Sequence, residues 1–285
     1  MKEKYKELVR YIKELFKEFW LLWKSVDGLL SKFIFPIYSM LVYLYAKLFK
    51  KENSHNYILQ RIWAGFNYKV VYKGFTFISE RSLVSTHIVP DYEKETTETL
   101  MKMKGKVFID IGAHVGRYSI LLSKNFEKII AIEPDPYNFS YLVKHIYINK
   151  LENKILPINV ALADKISFMK LYLSEKGEGK HSLFVPKGKY TFVLTLPLDF
   201  IIEKLEILPE DISLIKIDVE GAEYIVLKGM EKILREGNPI IVIEILHNNP
   251  NKERTIKLLE EKGYKIVMKL DNNSILANYV FVKKG

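Results

Sequence analysis

The stretch that most limits what this chain can fold into is VFIDIGAHVGRYSILLS, residues 107–123. An apolar run ends in Asp110, two glycines follow at Gly112 and Gly116, and a helical pattern begins almost at once. Strand, tight glycine connection and helix in immediate succession make the opening unit of an open α/β sheet. Glycine lets the backbone turn sharply and lets a ligand approach closely, while a helix start presents amide donors without intrahelical partners. The expected occupant is a nucleotide-like ligand lying over this loop. The spacing Gly112-x-x-x-Gly116 is not G-x-G-x-x-G, which argues against a dinucleotide enzyme.

Beyond Gly105 the chain alternates apolar strand patterns with helical ones, the signature of a parallel sheet covered on both faces. The strands are KVFIDIG, KIIAIEP, ILPINVAL, ISLIKIDV, PIIVIEIL, YKIVMK and YVFVKK, with helices at 117–125, 137–150, 222–235 and 251–262. An insertion at 165–196 carries the alternating runs FMKLYL and TFVLTL and is expected to be a β-hairpin. Upstream, YKVVYKGFTFIS reads as a hairpin turning at Lys73-Gly74, and DYEKETTETLMKM as a helix. The expected organisation is therefore an N-terminal helical extension at 1–53, a connecting segment with a hairpin at 54–100, and an α/β domain at 101–285.

Two further places carry chemistry. The second strand ends in Glu133, about twenty residues beyond the glycine loop, where an acidic side chain can accept hydrogen bonds from the ribose hydroxyls of an adenosine. The alternative is structural, with Asp110 capping a turn and Glu133 ending a strand before Pro134. The fourth strand ends in KIDVEGAE, which gathers Lys216, Asp218, Glu220 and Glu223 at the edge where open α/β sheets place ligands. An alkyl hydroxyl attacks poorly until its proton is removed, so a positioned carboxylate or histidine is wanted there. Asp218 is the first choice as base or substrate orienter; Glu220, Glu244 and His247 are the other catalytic candidates, and Lys216 is available to pair with one carboxylate. Glu220 and Glu223 also suit the first turn of the next helix. Carboxylates and a histidine can hold a divalent metal, but no tight ligand spacing compels one, and none is assigned. His55 and His87 have no motif around them.

Composition bounds the rest. There is no cysteine, which excludes disulfides, a thiolate zinc site and a cysteine nucleophile. Gln60 is the single glutamine in a chain rich in Lys, Ile and Glu, a bias associated with thermophile proteins. The net charge is +10, and residues 1–53, with eleven Lys and Arg against six Asp and Glu, hold half of it. In that extension KEKYKELVRYIKELFKEFWLLW is amphipathic at helical spacing, and the following apolar stretch between Lys32 and Lys47 is shorter than the roughly 20 residues that span a bilayer. Two readings compete: helices packing on the catalytic domain or on a second subunit, and a peripheral membrane attachment with Trp20 and Trp23 beside lysines. No small-residue cleavage site follows a short apolar region, so a cytoplasmic location, peripheral at the membrane in the second reading, is expected in place of secretion.

The motifs DIGAHVGRYS, IEPDPYNFSYLVKHIYIN and LIKIDVEGAEYIVLKG, together with TLPLD and IEILH, resemble the FkbM family of class I methyltransferases. The likeness runs from about Glu93 to the C-terminus. It departs at IEILHNNP, where members more often carry the histidine one residue closer to the glutamate. The resemblance implies a Rossmann-like, doubly wound, mostly parallel seven-stranded sheet with an antiparallel final strand. It also implies S-adenosylmethionine as methyl donor and O-methylation of a hydroxyl-bearing acceptor, often a sugar or lipid-linked glycan. It carries Asp110, Gly112, His114, Gly116 and Glu133 to the cofactor, with Ala113 and Pro134 inside the same motifs, and puts Asp164 of ALAD near the adenine or in a plain turn. An RNA methyltransferase is the enzyme alternative suggested by the basic pI, but DVEG replaces the D/N-P-P-Y/F of many base methylases, so nucleic acid is not the expected partner. A non-catalytic, membrane-associated cofactor-binding protein is the alternative from another class. The apolar face of the first helix allows a homodimer.

Overall fold

A computed structural model describes residues 68–79, 92–173 and 189–284. The proposed membrane-attaching or packing helices of residues 1–53 lie outside the described residues, as does most of the connecting segment. Among the described residues no helix is long and apolar enough to cross a membrane. The chain divides into two compact units, 1–89 and 90–285. In the first, β1 (Tyr68–Tyr72) and β2 (Phe75–Ser79) pair antiparallel around Lys73 and Gly74, both at positive φ as a two-residue hairpin turn demands.

The second unit is built on a seven-stranded sheet. In chain order its strands are β3 (Gly105–Ile111), β4 (Phe126–Ile132), β5 (Ile155–Ile158), β9 (Ile212–Ile217), β10 (Ile240–Leu246), β11 (Tyr264–Leu270) and β12 (Leu276–Lys283). Their spatial order is β11-β12-β10-β9-β3-β4-β5, and the last strand, β12, runs antiparallel to both neighbours while β3, β4, β5, β9 and β10 pair parallel. This is the expected fold class. The inner strands are buried on both faces, which is why VFIDI, IIAI, LIKI and IVIEI read as apolar runs, interrupted only by the buried Asp110, Lys216 and Glu244.

The helices are α1 (Lys94–Leu100), α2 (Arg117–Leu121), α3 (Pro136–Ile148), α4 (Leu198–Lys204), α5 (Glu223–Lys228), α6 (Glu231–Glu236) and α7 (Lys252–Glu261). Two differ from the sequence reading. The helix expected over 222–235 is two helices, because a Cβ at Gly229 would stand 2.2 Å from the Ala163 carbonyl oxygen and the backbone turns aside there. The second of them is capped from a distance: the Asp199 carboxylate accepts from the amides of Lys232 (2.7 Å) and Ile233 (3.1 Å). The run ILPINVAL also splits, into β5 of the main sheet and β6 (Ala161–Leu162) of a separate three-stranded sheet. There β6 pairs parallel with β8 (Tyr190–Leu196), which pairs antiparallel with β7 (Ser167–Tyr172).

Helix α1 is held by a residue 175 positions away. Asp271, in the turn between β11 and β12, accepts from the amides of Glu95 (3.2 Å) and Thr96 (2.8 Å), and its own amide donates to the Glu95 carboxylate at 2.8 Å. From the other side the buried Arg117 guanidinium donates to the Tyr92 carbonyl at 3.0 Å and to Thr97 Oγ1 at 3.2 Å. Between these two grips the chain delivers Glu93 to the sheet's carboxyl edge. Replacing Asp271 by Ala should cost about 1 kcal/mol of stability, the ordinary value of a lost cap, whereas Asp271→Asn, which keeps one of the two accepting oxygens, should lose only part of it; an unchanged urea melt in Asp271→Ala would contradict this cap.

Candidate functional site

The glycine connection is shaped by what lies behind it. Gly112 sits at φ 77°, and a Cβ there would stand 1.8 Å from the Asp218 carbonyl oxygen, so the tips of β3 and β9 touch backbone to backbone. The amides of Gly112 and Ala113 both donate to the Ile132 carbonyl at 2.9 Å, and the Asp218 amide donates to the Ile111 carbonyl at 2.9 Å. Only glycine satisfies both the positive φ and this approach. Gly116, at φ 88°, ends the loop with its amide on the Ala113 carbonyl at 2.8 Å.

Glu133 fastens this loop to the next one. Its Oε2 accepts from the His114 amide at 2.8 Å and its Oε1 from the Asp135 amide at 2.9 Å, while His114 takes a left-handed φ of 52° to present that amide. The carboxyl is 5% exposed, and burial pushes its pKa up to about 8 against the pull of the Asp135 and His114 amides. A carboxylate offers about four acceptor positions, and with the two amides and the Asn138 side chain drawing on it, about one remains for a hydroxyl donor. Asn159, which the sequence reading missed, donates from Nδ2 to the Glu133 carbonyl (2.8 Å) and the Pro134 carbonyl (3.1 Å), fixing the strand end. Its position just past the third apolar run was the available signal.

Asp110 is placed beneath the loop. At 1% exposure, its Oδ2 accepts from the Ser119 amide (3.0 Å) and hydroxyl (2.6 Å), so it supports α2 in the turn-capping way weighed above. Burial pushes its pKa up to about 6, opposed by Ser119 and Lys216. Asp164 belongs to the end of β6, in the smaller sheet, and pairs with Lys228 Nζ at 3.1 Å.

The acidic cluster assembles around a buried cation. Lys216 is 1% exposed; its Nζ lies 3.1 Å from Asp218 Oδ2 and 4.9 Å from the centroid of the Tyr118 ring. Burial alone would strip its proton, but Asp218, Glu93, Glu244 and Asp110 outweigh burial and hold the ammonium charged. Glu244, 7% exposed, is driven well above the carboxylate range by burial and by Asp218 and Glu93. Carboxylate oxygens of Glu93, Asp218 and Glu244 all lie within 4.8 Å of one another. Glu93 also accepts a short hydrogen bond from the Tyr118 hydroxyl. No local motif announced Glu93; it arrives here because Asp271 and Arg117 hold the start of α1 from two sides.

The remaining candidates spread around this centre. Glu220 occupies a left-handed position (φ 48°) in the turn after β9, followed by Gly221 at φ 103°. Glu223 is spent on structure: it accepts from the Gly221 amide at 2.8 Å and from Asn249 Nδ2 at 2.6 Å, and burial pushes it up to about 7. His247 stands to one side, with Nε2 2.8 Å from the Asn273 carbonyl and Nδ1 3.4 Å from Lys252 Nζ. The structure thus brings Asp218 and Glu244 together and leaves His247 outside their oxygen cluster.

A sheet of this order with an antiparallel last strand, a glycine connection after its first core strand and an acidic end to the second defines a Rossmann-like methyltransferase. The chain belongs to the FkbM methyltransferase family, whose Methyltransferase FkbM domain model matches residues 110–266. It is 29% identical over 54% of its length to the hexuronic acid methyltransferase AglP of Haloferax volcanii, of which the match spans 62%, under two thirds. It is 26% identical over 55% of its length to methyltransferase sdnD of Sordaria araneosa, covering 73% of that protein. A crystal structure of methyltransferase FkbM from Methylobacillus flagellatus aligns over 62% of this chain and 43% of that one, with a TM-score of 0.48 and 19% identity.

Asp110, Glu223 and Glu133 share one consequence. Each carboxyl is held above its ordinary value, at about 6, 7 and 8. Above the unfolded carboxylate range the folded chain therefore binds more protons than the unfolded one, and stability falls as pH rises towards 8. The melting temperature should be higher at pH 5.5 than at pH 8.5, and Glu133→Gln should flatten the upper part of that slope; a profile that rises with pH would refute the assignment.

Proposed function

We propose that this chain transfers the methyl group of S-adenosylmethionine to a hydroxyl, with a sugar or glycan as acceptor. The observation that carries this is the adjacency of two features at one sheet edge: the loop fastened by Glu133, and the Asp218 cluster whose backbone touches that loop at Gly112. Family membership supports the donor, and the printed name of the Haloferax relative supports a sugar acceptor.

The residues present suit such a donor. Gly112, Ala113, His114 and Gly116 leave a loop close to the backbone, Pro134 shapes the exit of the second strand, and Glu133 keeps acceptor capacity for a ribose hydroxyl. Asp110 acts from beneath by holding α2, and Asp164 remains the candidate nearest an adenine from the third strand's side. Bound there, the donor supplies an electrophilic methyl on a sulfonium. Asp218 accepts the acceptor hydroxyl's proton or orients that hydroxyl, with Lys216 fixing the carboxylate's position through the 3.1 Å contact. Glu244 and Glu220 flank it and hydrogen-bond the acceptor, and His247 stands at the rim for a larger one. Holding the hydroxyl in line removes much of the entropic barrier by itself.

Calorimetry on the full chain should find S-adenosylmethionine binding that Glu133→Ala weakens at least tenfold. Because hydroxyls donate better to the anion, affinity should also rise as pH increases through about 8. Asp218→Asn should leave donor binding intact and lower turnover by about 10²- to 10⁴-fold. The acceptor is tested by mass spectrometry after incubation with hexuronic acids, neutral glycans and RNA. A gain of one methyl on RNA alone would overturn the sugar assignment, and absence of donor binding would overturn the reading as a whole.

A further inference from the structure

Three carboxylates crowd together at the carboxyl edge, and a buried carboxamide beside them lacks a partner among the described residues. Glu93, Asp218 and Glu244 converge from the start of α1, the end of β9 and the middle of β10, with an oxygen of each within 4.8 Å of the others. The carboxamide is that of Asn278. It is fully buried, and neither its Oδ1 nor its Nδ2 has a hydrogen-bond partner among the described residues. A buried carboxamide left so forfeits the hydration of both atoms, a penalty that folded chains rarely accept without a ligand or water in place.

The register says where that amide points. Asn278 of β12 is the direct antiparallel partner of Glu244, so their side chains leave the sheet on the same face. In the parallel pairing of β10 with β9, Ile243 lies beside Ile217, and one residue further Glu244 lies beside Asp218. Asp218, Glu244 and Asn278 therefore form one row across three strands on one face, and Glu93 closes it from α1.

We propose that this row, with Glu93, is a binding site for a hard divalent cation: magnesium, manganese or calcium. All four residues offer oxygen, the donor such ions prefer, and no soft or nitrogen ligand belongs to the set. The spacing allows it: carboxylate oxygens within 4.8 Å of one another are close enough to share one ion whose ligand oxygens stand about 2.0 to 2.6 Å from it. The cation would offset charge that Lys216 alone does not balance and give Asn278 Oδ1 its missing partner. This deepens the proposed function, since a Lewis acid would then sit where the acceptor hydroxyl meets Asp218; the site itself does not require the donor.

The test uses the full chain stripped with chelator and titrated with Mn²⁺ alone, free Mn²⁺ being read by electron paramagnetic resonance. One saturable site per chain is expected, displaced by Mg²⁺ or Ca²⁺. Glu93→Gln should weaken it at least tenfold, Asn278→Asp should tighten it, and Glu127→Gln, on an exposed position of β4, should change nothing. Absence of saturable binding up to millimolar Mn²⁺ overturns the proposal. So does a site indifferent to both Glu93→Gln and Asn278→Asp, and should Glu93→Gln fail to fold, unchanged or weaker binding in Asn278→Asp decides against it. Calorimetry with S-adenosylmethionine on the same samples separates the two readings: Mn²⁺ binding without donor binding sinks the function and spares the site, and the opposite result sinks the site alone.

Discussion

The carboxyl edge of this sheet is organised by one buried positive charge. Lys216 cannot reach water, so its ammonium must be compensated within the protein, and Asp218, Glu93, Glu244 and Asp110 all contribute. A lone buried ion is far more costly than the same ion ringed by partners. Each carboxylate is tolerated because of the lysine, and the lysine because of them. That mutual dependence draws three separate segments, the start of α1 and the tips of β9 and β10, into one place.

The donor-side half of the edge rests on a different device. Glu133 places one carboxyl oxygen on each of two loops, and His114 adopts an unfavourable left-handed backbone so that its amide can meet one of them. Left-handed non-glycine residues cost free energy and persist where the surroundings over-determine them. Glu220 repeats the pattern in the turn after β9. A left-handed His114, buried carboxyls above their ordinary values and an unpartnered Asn278 meet at this edge, the kind of departure from local comfort that a ligand-bearing edge requires.

Much of the architecture was legible because parallel strands buried on both faces are apolar along most of their length, and glycine must stand where strand tips meet. VFIDIG, KIIAIEP and ISLIKIDV therefore announced both themselves and their order of use. The break at Gly229 was not legible, since it depends on the Ala163 carbonyl from a different layer. That Asp110 accepts from the Ser119 amide and hydroxyl was not legible either, since spacing along one strand does not encode which way a side chain faces. Glu93 shows the limit most clearly: it reaches the site through a cap set 175 residues away. Asn278 carried a weak signal, a single polar residue inside LANYVFV, which means something only once its partner across the ladder is known.

The charge at this edge also bears on what can approach it. A phosphodiester chain binds through cations arrayed along its path, and here the buried Lys216 is already engaged by Asp218, and Arg117 by Tyr92 and Thr97, while carboxyl groups crowd the strand ends. Hydroxyls make the opposite demand. They donate to carboxylates, lose little on leaving water when such acceptors await them, and gain acidity beside a cation. An acidic row with a lysine at its floor therefore meets hydroxyl donors on better terms than it meets a polyanion.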